Sequence, residues 1–186
     1  MIRLEDVNKS YRMGENSLHV LKDVSLQVER GEFVSILGAS GSGKSTLMNI
    51  IGCMDTPDTG RYTIDGVSVE HSKPDVLAAI RNEKIGFIFQ KYHLIPRYSV
   101  LQNVMMPLLI RGMDRKYAQE KAEEMLEMVG LDQRTDHKPN ELSGGQQQRV
   151  AIARALIPAR LFCWRMSRPA RWIPKPGRKF LLCSAS

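Results

Sequence analysis

Gly38-Ala39-Ser40-Gly41-Ser42-Gly43-Lys44-Ser45-Thr46 is the stretch on which the fold turns. It matches G-x-x-x-x-G-K-[ST] in full. Before it, Phe33-Val34-Ser35-Ile36-Leu37 is short and nearly all apolar, as expected for a strand buried on both faces. After it, a helical pattern runs from Lys44 to about Gly52. The glycines let the backbone curl until its N–H groups converge on phosphate oxygens. The positive end of the helix dipole points at the same anion. Lys44 supplies a point charge to the β- and γ-phosphates, and the Ser45 hydroxyl supplies a ligand to Mg2+. A glycine-rich turn that binds nothing is the alternative, and strand, motif and helix in that order argue against it.

Working outward, short β-type runs alternate with helical patterns, which predicts a mixed α/β domain. Ile2–Val7 and the alternating Val20–Val28 read as strands on the N-terminal side, with Arg30-Gly31-Glu32 as a turn. Asp55–Gly60 is a loop, and Tyr62–Ile64 and Ile85–Phe89 are further strands, with a short helix at Asp75–Asn82 between them. From Lys91 the character is helical: Val100–Arg111, then Arg115–Val129 closed by Gly130, then Gln146–Ile157. A strand-rich part thus carries a helical insertion, about 91–150.

Length and composition exclude several classes. The 186 residues suffice for one ordinary α/β domain. No apolar run approaches the ~20 residues of a membrane span. The start, Met1-Ile2-Arg3-Leu4-Glu5-Asp6, lacks the charged-then-apolar pattern of a secretory signal. Cys53, Cys163 and Cys183 have no metal-type spacing and fit a reducing compartment, so a cytosolic chain is expected. Cys53 reads as a small buried group, the methionines as mostly core, and the four scattered histidines as surface or structural.

The net charge of +7 belongs to one end of the chain. Residues 158–186 hold seven of the 27 cations and no acid, leaving 20 of each sign in the rest. Arginines interleaved with prolines in no regular pattern make a poor nucleic-acid surface, and none is expected as partner.

A second motif narrows the reading. Leu142-Ser143-Gly144-Gly145-Gln146 lies about a hundred residues after the phosphate loop and opens the last clear helix. Alone it could be a loop with an N-cap. Paired with the first motif it resembles the signature of ABC transporter ATPases, and the resemblance runs along nearly all of residues 1–157. It implies a P-loop ATPase of the ABC type, with an antiparallel β part and a helical insertion. It also implies two such domains paired head-to-tail, each ATP lying between one phosphate loop and the partner's Ser143, Gly144, Gly145 and Gln146. Tyr11 falls where the family stacks an aromatic on adenine, and Gln90 where a glutamine meets Mg2+ and the attacking water. Leu94-Ile95-Pro96 and the helices after it resemble the part that grips a transmembrane permease, which would place the chain at the inner face of the cell membrane. Gly38–Asn49 and Ile85–Gln90 look like the macrolide-exporter and lipoprotein-release branch.

One family element is missing from this sequence. The pattern requires an apolar strand ending in Asp-Glu after the signature helix, then a histidine, and no acid or histidine follows Glu141. The genetic code suggests why. Regrouping the codons of the tail one base earlier forces a leucine from Cys163-Trp164 and an aspartate from Trp172-Ile173. Between and after these it permits Leu-Ala-Asp-Glu-Pro-Thr-Gly-Ala-Leu-Asp-Ser, which resembles the family's hydrolysis strand. Residues from about Pro158 are therefore expected to be read out of frame. The chain is expected to be a partial ATPase domain, 1–157, that cradles ATP and Mg2+ but lacks the carboxylates for cleavage.

Overall fold

The computed structural model describes residues 1–158 other than Phe33 and Gln90, and the backbone of 162–166 and 181–183. Most of the tail reading, and the Gln90 reading, lie outside the described residues. Chain contacts divide the protein into two units: Met1–Arg81 with the chain from Met166 onward, and Asn82–Arg165.

The first unit is built on an antiparallel sheet. Strand β1 (Ile2–Met13) pairs with β2 (Asn16–Val28), and β1 takes β4 (Thr59–Ile64) on its other side, with β5 (Val67–Ser68) next to β4. Both hairpin strands run longer than their apolar alternation predicted, because main-chain pairing continues to Met13↔Asn16 around a tight turn containing Gly14. The alternating residues Ile2, Leu4, Val7, Val28, Tyr62 and Ile64 are buried. Helix α1 (Lys44–Ile51) adds Leu47, Met48, Ile50 and Ile51 to this core. The Tyr62 hydroxyl donates to the Ile51 carbonyl at 2.6 Å, tying β4 to the end of α1.

The run before the phosphate loop departs from expectation. Strand β3 spans only Ser35–Ile36, with Ser35 exposed, and Leu37 is 75% exposed. Its register pairs are Ser35↔Leu182 and Ile36↔Cys183, parallel to β8 (Leu181–Cys183). A partner of three residues supports a short ladder, and Ser35 and Leu37 are left exposed.

In the second unit, β6 (Ile85–Ile88) runs parallel to β7 (Phe162–Met166), with pairs from Ile85↔Phe162 to Ile88↔Arg165. Helix α2 (Pro74–Lys84) leads into it. Helices α3 (Val100–Ile110), α4 (Arg115–Met128) and α5 (Gly144–Leu156) enclose a core that includes Val104, Leu108, Ala122, Leu126 and Val150. Each start has a side-chain cap: Ser99 accepts from the Gln102 N–H, Asp114 from Lys116 and Tyr117, and Ser143 from Gln146. Gly130, at φ 67, follows α4 as the sequence indicated. Helix α5 starts two residues before Gln146, because the Ser143 cap holds both glycines in the first turn.

Methionine is less of a core residue than its spacing suggested. Met48, Met105 and Met125 are buried, but Met13, Met54, Met113 and Met128 are exposed, at the hairpin end and at or beyond helix ends. Cys53 is buried as expected, and desolvation pushes its thiol up to about 11.

Candidate nucleotide site

The phosphate loop begins where β3 ends. The chain turns at Ala39–Ser42, where the Ser42 N–H donates to the Ala39 carbonyl at 3.2 Å. Gly41 and Gly43 both have positive φ, 79° and 83°. At Gly43 the space is as restrictive as the torsion. An added Cβ would lie 3.0 Å from the Val20 carbonyl oxygen and 3.0 Å from Leu21 Cδ2. So β2 presses against the loop, and only glycine can carry the chain into α1 there.

Lys44 closes the loop on itself. Its ammonium donates to the carbonyls of Gly38 and Ala39, both at 2.6 Å, and stands 3.4 Å from Ser42 Oγ. No side chain caps the start of α1 and no acid lies in its first turn. The result is a cavity of about 260 Å3 lined by Val20, Ser40, Gly41, Gly43, Lys44, Ser45 and Thr46. A lysine satisfied by neutral carbonyls, above an uncapped helix start, suits a polyanion. Ser45 is exposed at this cavity, where a hydroxyl could meet the Mg2+ that accompanies a triphosphate.

Tyr11 belongs to the same unit. Its hydroxyl donates to Asp55 Oδ2 at 2.8 Å, and its ring, 36% exposed, has the Lys9 ammonium 5.5 Å from its centroid. Burial raises the Tyr11 hydroxyl, and the Asp55 carboxylate adds to that shift. Lys9 is nearly buried, and burial alone would lower it, but hydrogen bonds to Asp55 and Asp58 hold it above the ordinary lysine value. Burial pushes Asp55 the other way, yet its bonds from Lys9 and Tyr11 keep it below the ordinary carboxylate range.

The second motif lies in the other unit. Ser143 and Gln146 form a reciprocal capping box, with the Ser143 N–H donating to Gln146 Oε1 at 2.8 Å. Gly144 and Gly145 sit in the first turn of α5 without positive φ. A Cβ on Gly145 would meet nothing within 4 Å, and one on Gly144 only the Tyr92 hydroxyl, at 3.3 Å. Further along α5, the Arg154 guanidinium donates to the carbonyls of Tyr92 and His93, both at 2.7 Å. Those two residues hold positive φ, 57° and 46°.

Sequence reasoning had picked out the loop, Tyr11, Gln90 and the second motif. It had missed Lys9, Asp55, Val20 and Arg154. Lys9 and Asp55 are 46 positions apart, and Arg154 reaches a carbonyl 61 positions away, so no local pattern announces either contact. The one available hint was a lysine inside an otherwise alternating strand.

A loop of this construction between a strand and a helix defines a P-loop nucleotide-binding domain, and comparison with known proteins places it more closely. The family model described as ABC transporter matches residues 21–162, and the chain belongs to that family as an ATP-binding ATPase component. It is 52% identical over 157 residues to the uncharacterised ABC transporter ATP-binding protein YvrO of Bacillus subtilis, covering 84% of this chain and 69% of that protein. It is 54% identical over 157 residues to the macrolide export ATP-binding/permease protein MacB of Chlorobaculum tepidum, of whose length it spans 24%. Among solved structures it resembles the dimeric post-hydrolysis state of the ATP-binding cassette MJ0796 bound to ADP and Pi. The TM-score is 0.87 at 40% identity, over 100% of this chain and 88% of that one.

Proposed function

We propose that this chain binds ATP with Mg2+ at Gly38–Thr46 and contributes Ser143-Gly144-Gly145-Gln146 to the ATP of a second ATPase domain. The pair would act on a membrane permease, driving export or lipoprotein release from the inner face of the membrane. Lys44 and the uncapped start of α1 would hold the phosphates, Tyr11 the adenine, and Ser45 with Gln90 the metal. The metal supplies charge neutralisation at the phosphates and orients the leaving group.

The observation that carries the paired arrangement is Gly145. Its torsions suit any residue and a Cβ there would clash with nothing among the described residues. Glycine costs a helix about 0.5–1 kcal/mol relative to alanine. A residue that the chain's own fold does not require is understandable if something outside the chain approaches that backbone. A dimeric cassette among the structural relatives and a fused permease in MacB agree with such partners.

For this chain as it stands, binding without turnover is the reading we favour, with a fragment that does neither as its rival. No Asp, Glu or His follows Glu141, so the groups that hold metal-bound water and polarise the nucleophile are missing from its sequence. Titration with MgATP beside a steady-state phosphate-release assay tests both halves. Micromolar binding with no turnover is expected. Turnover in the ordinary enzymatic range, about 1 per second or more, would overturn the reading. Sequencing the gene tests the frame: a reading frame near codon 158 encoding Asp-Glu-Pro-Thr is expected, and its absence refutes the shift.

A further inference from the structure

We propose that Asp55 and Lys9 are positioning residues for the nucleobase: together they lock the Tyr11 ring in the orientation that a base stacks on. The inference rests on the proposed role of Tyr11 as the adenine platform and adds what makes it a rigid one.

An exposed tyrosine near a strand end ordinarily samples several rotamers. Tyr11 is held at both parts of its side chain. The hydroxyl donates to Asp55 Oδ2 at 2.8 Å. Lys9 Nζ sits 5.5 Å from the ring centroid, within the range of a cation–π contact.

The groups that hold Tyr11 are themselves fixed. Asp55 Oδ1 accepts from Lys9 Nζ at 2.9 Å and from its own neighbour, the Thr56 N–H, at 2.8 Å. Lys9 Nζ also donates to the Thr56 carbonyl at 2.7 Å and pairs with Asp58 Oδ1 at 3.3 Å. The Lys9 side chain is 11% exposed, so this cation is screened far less than a surface lysine. One carboxylate and one ammonium thus hold the ring, and Asp58 helps to fix the ammonium.

The consequence is preorganisation. Immobilising one freely rotating side chain on binding weakens affinity by about 3- to 10-fold. A ring already fixed before the nucleotide arrives avoids that loss. The gain applies to ligands carrying a base and is absent for the phosphate chain alone, which separates a positioning role from a structural one.

The test is calorimetric titration of the full chain with MgATP and, separately, with magnesium tripolyphosphate. Asp55→Ala and Tyr11→Phe are each expected to weaken ATP about 5-fold and to leave tripolyphosphate within about twofold. The double variant should be no weaker than either single one, because both break the same tether. Tyr11→Phe keeps the ring and the fold, so it decides the matter even where Asp55→Ala perturbs the loop after α1. Wild-type ATP affinity in Tyr11→Phe, or equal loss of both ligands in Asp55→Ala, would overturn the proposal while leaving the stacking role standing. Wild-type ATP affinity in Tyr11→Ala would sink the stacking role, and the proposal with it.

Discussion

At Gly43 the backbone enters α1 with φ 83° and no side-chain cap, whereas at Ser143 it enters α5 with φ −63° and a complete capping box. Both helix starts are glycine-rich and both present a positive dipole end. At the first, glycine is imposed by torsion and by the Val20 carbonyl, and the helix start is left for an anion to complete. At the second, the helix is already completed by Ser143, and glycine leaves open space in front of a finished turn. On the proposed reading, the first loop would be filled by its own ligand. The other reads as a surface kept low so that something else can come close.

The largest expected effect separates the two by ligand. Lys44→Ala should cost about 2–3 kcal/mol of ATP binding, roughly 30- to 160-fold, through loss of a charge-assisted contact. Ser143→Ala should leave a single chain's ATP affinity within about twofold. Equal losses in one titration series would erase the distinction.

Next is stability. Gly43→Ala should destabilise by about 2 kcal/mol in urea unfolding, since both torsion and space oppose a Cβ. Ser143→Ala should cost about 1 kcal/mol, the worth of an N-cap, without changing the denaturant slope. Gly145→Ala should have the opposite sign and stabilise by about 0.5 kcal/mol or slightly more. A destabilising Gly145→Ala would mean that the chain itself requires that glycine.

The smallest effect is in pH. Asp55 is held below the ordinary carboxylate range, so its contribution is complete above that range and fades as pH falls through its folded value. Lys9 is held above the ordinary lysine value, so its contribution persists through neutral pH and is lost only on the alkaline side. The cluster's share of stability should therefore be flat between about pH 5 and 9 and decline outside it. Thermal unfolding of Asp55→Ala across pH should show a shallower acid limb than the parent.

What could be read in advance was whatever is local in sequence. The phosphate motif, the apolar faces of α3 and α4 and the glycine after α4 are contiguous or periodic signals, and each was found where its residues stand. The strand before the loop was misjudged because apolar composition reports a tendency to be covered, not whether a covering ladder exists. Among the described residues there, only Ser35 and Ile36 form register pairs. The Tyr11 clamp was invisible for a different reason. Its members come from β1 and from the loop after α1, and only folding brings them together.

The Arg154 contact has a mechanical meaning. Its guanidinium, its charge already disfavoured by burial, meets two main-chain carbonyls and has no carboxylate partner among the described residues. A latch made from a cation and neutral dipoles responds little to ionic strength, because no opposing charge is there to be screened. The segment at Tyr92 and His93 is thus fastened to α5 as firmly in high salt as in low. A tug on one end of that joint is delivered to the other.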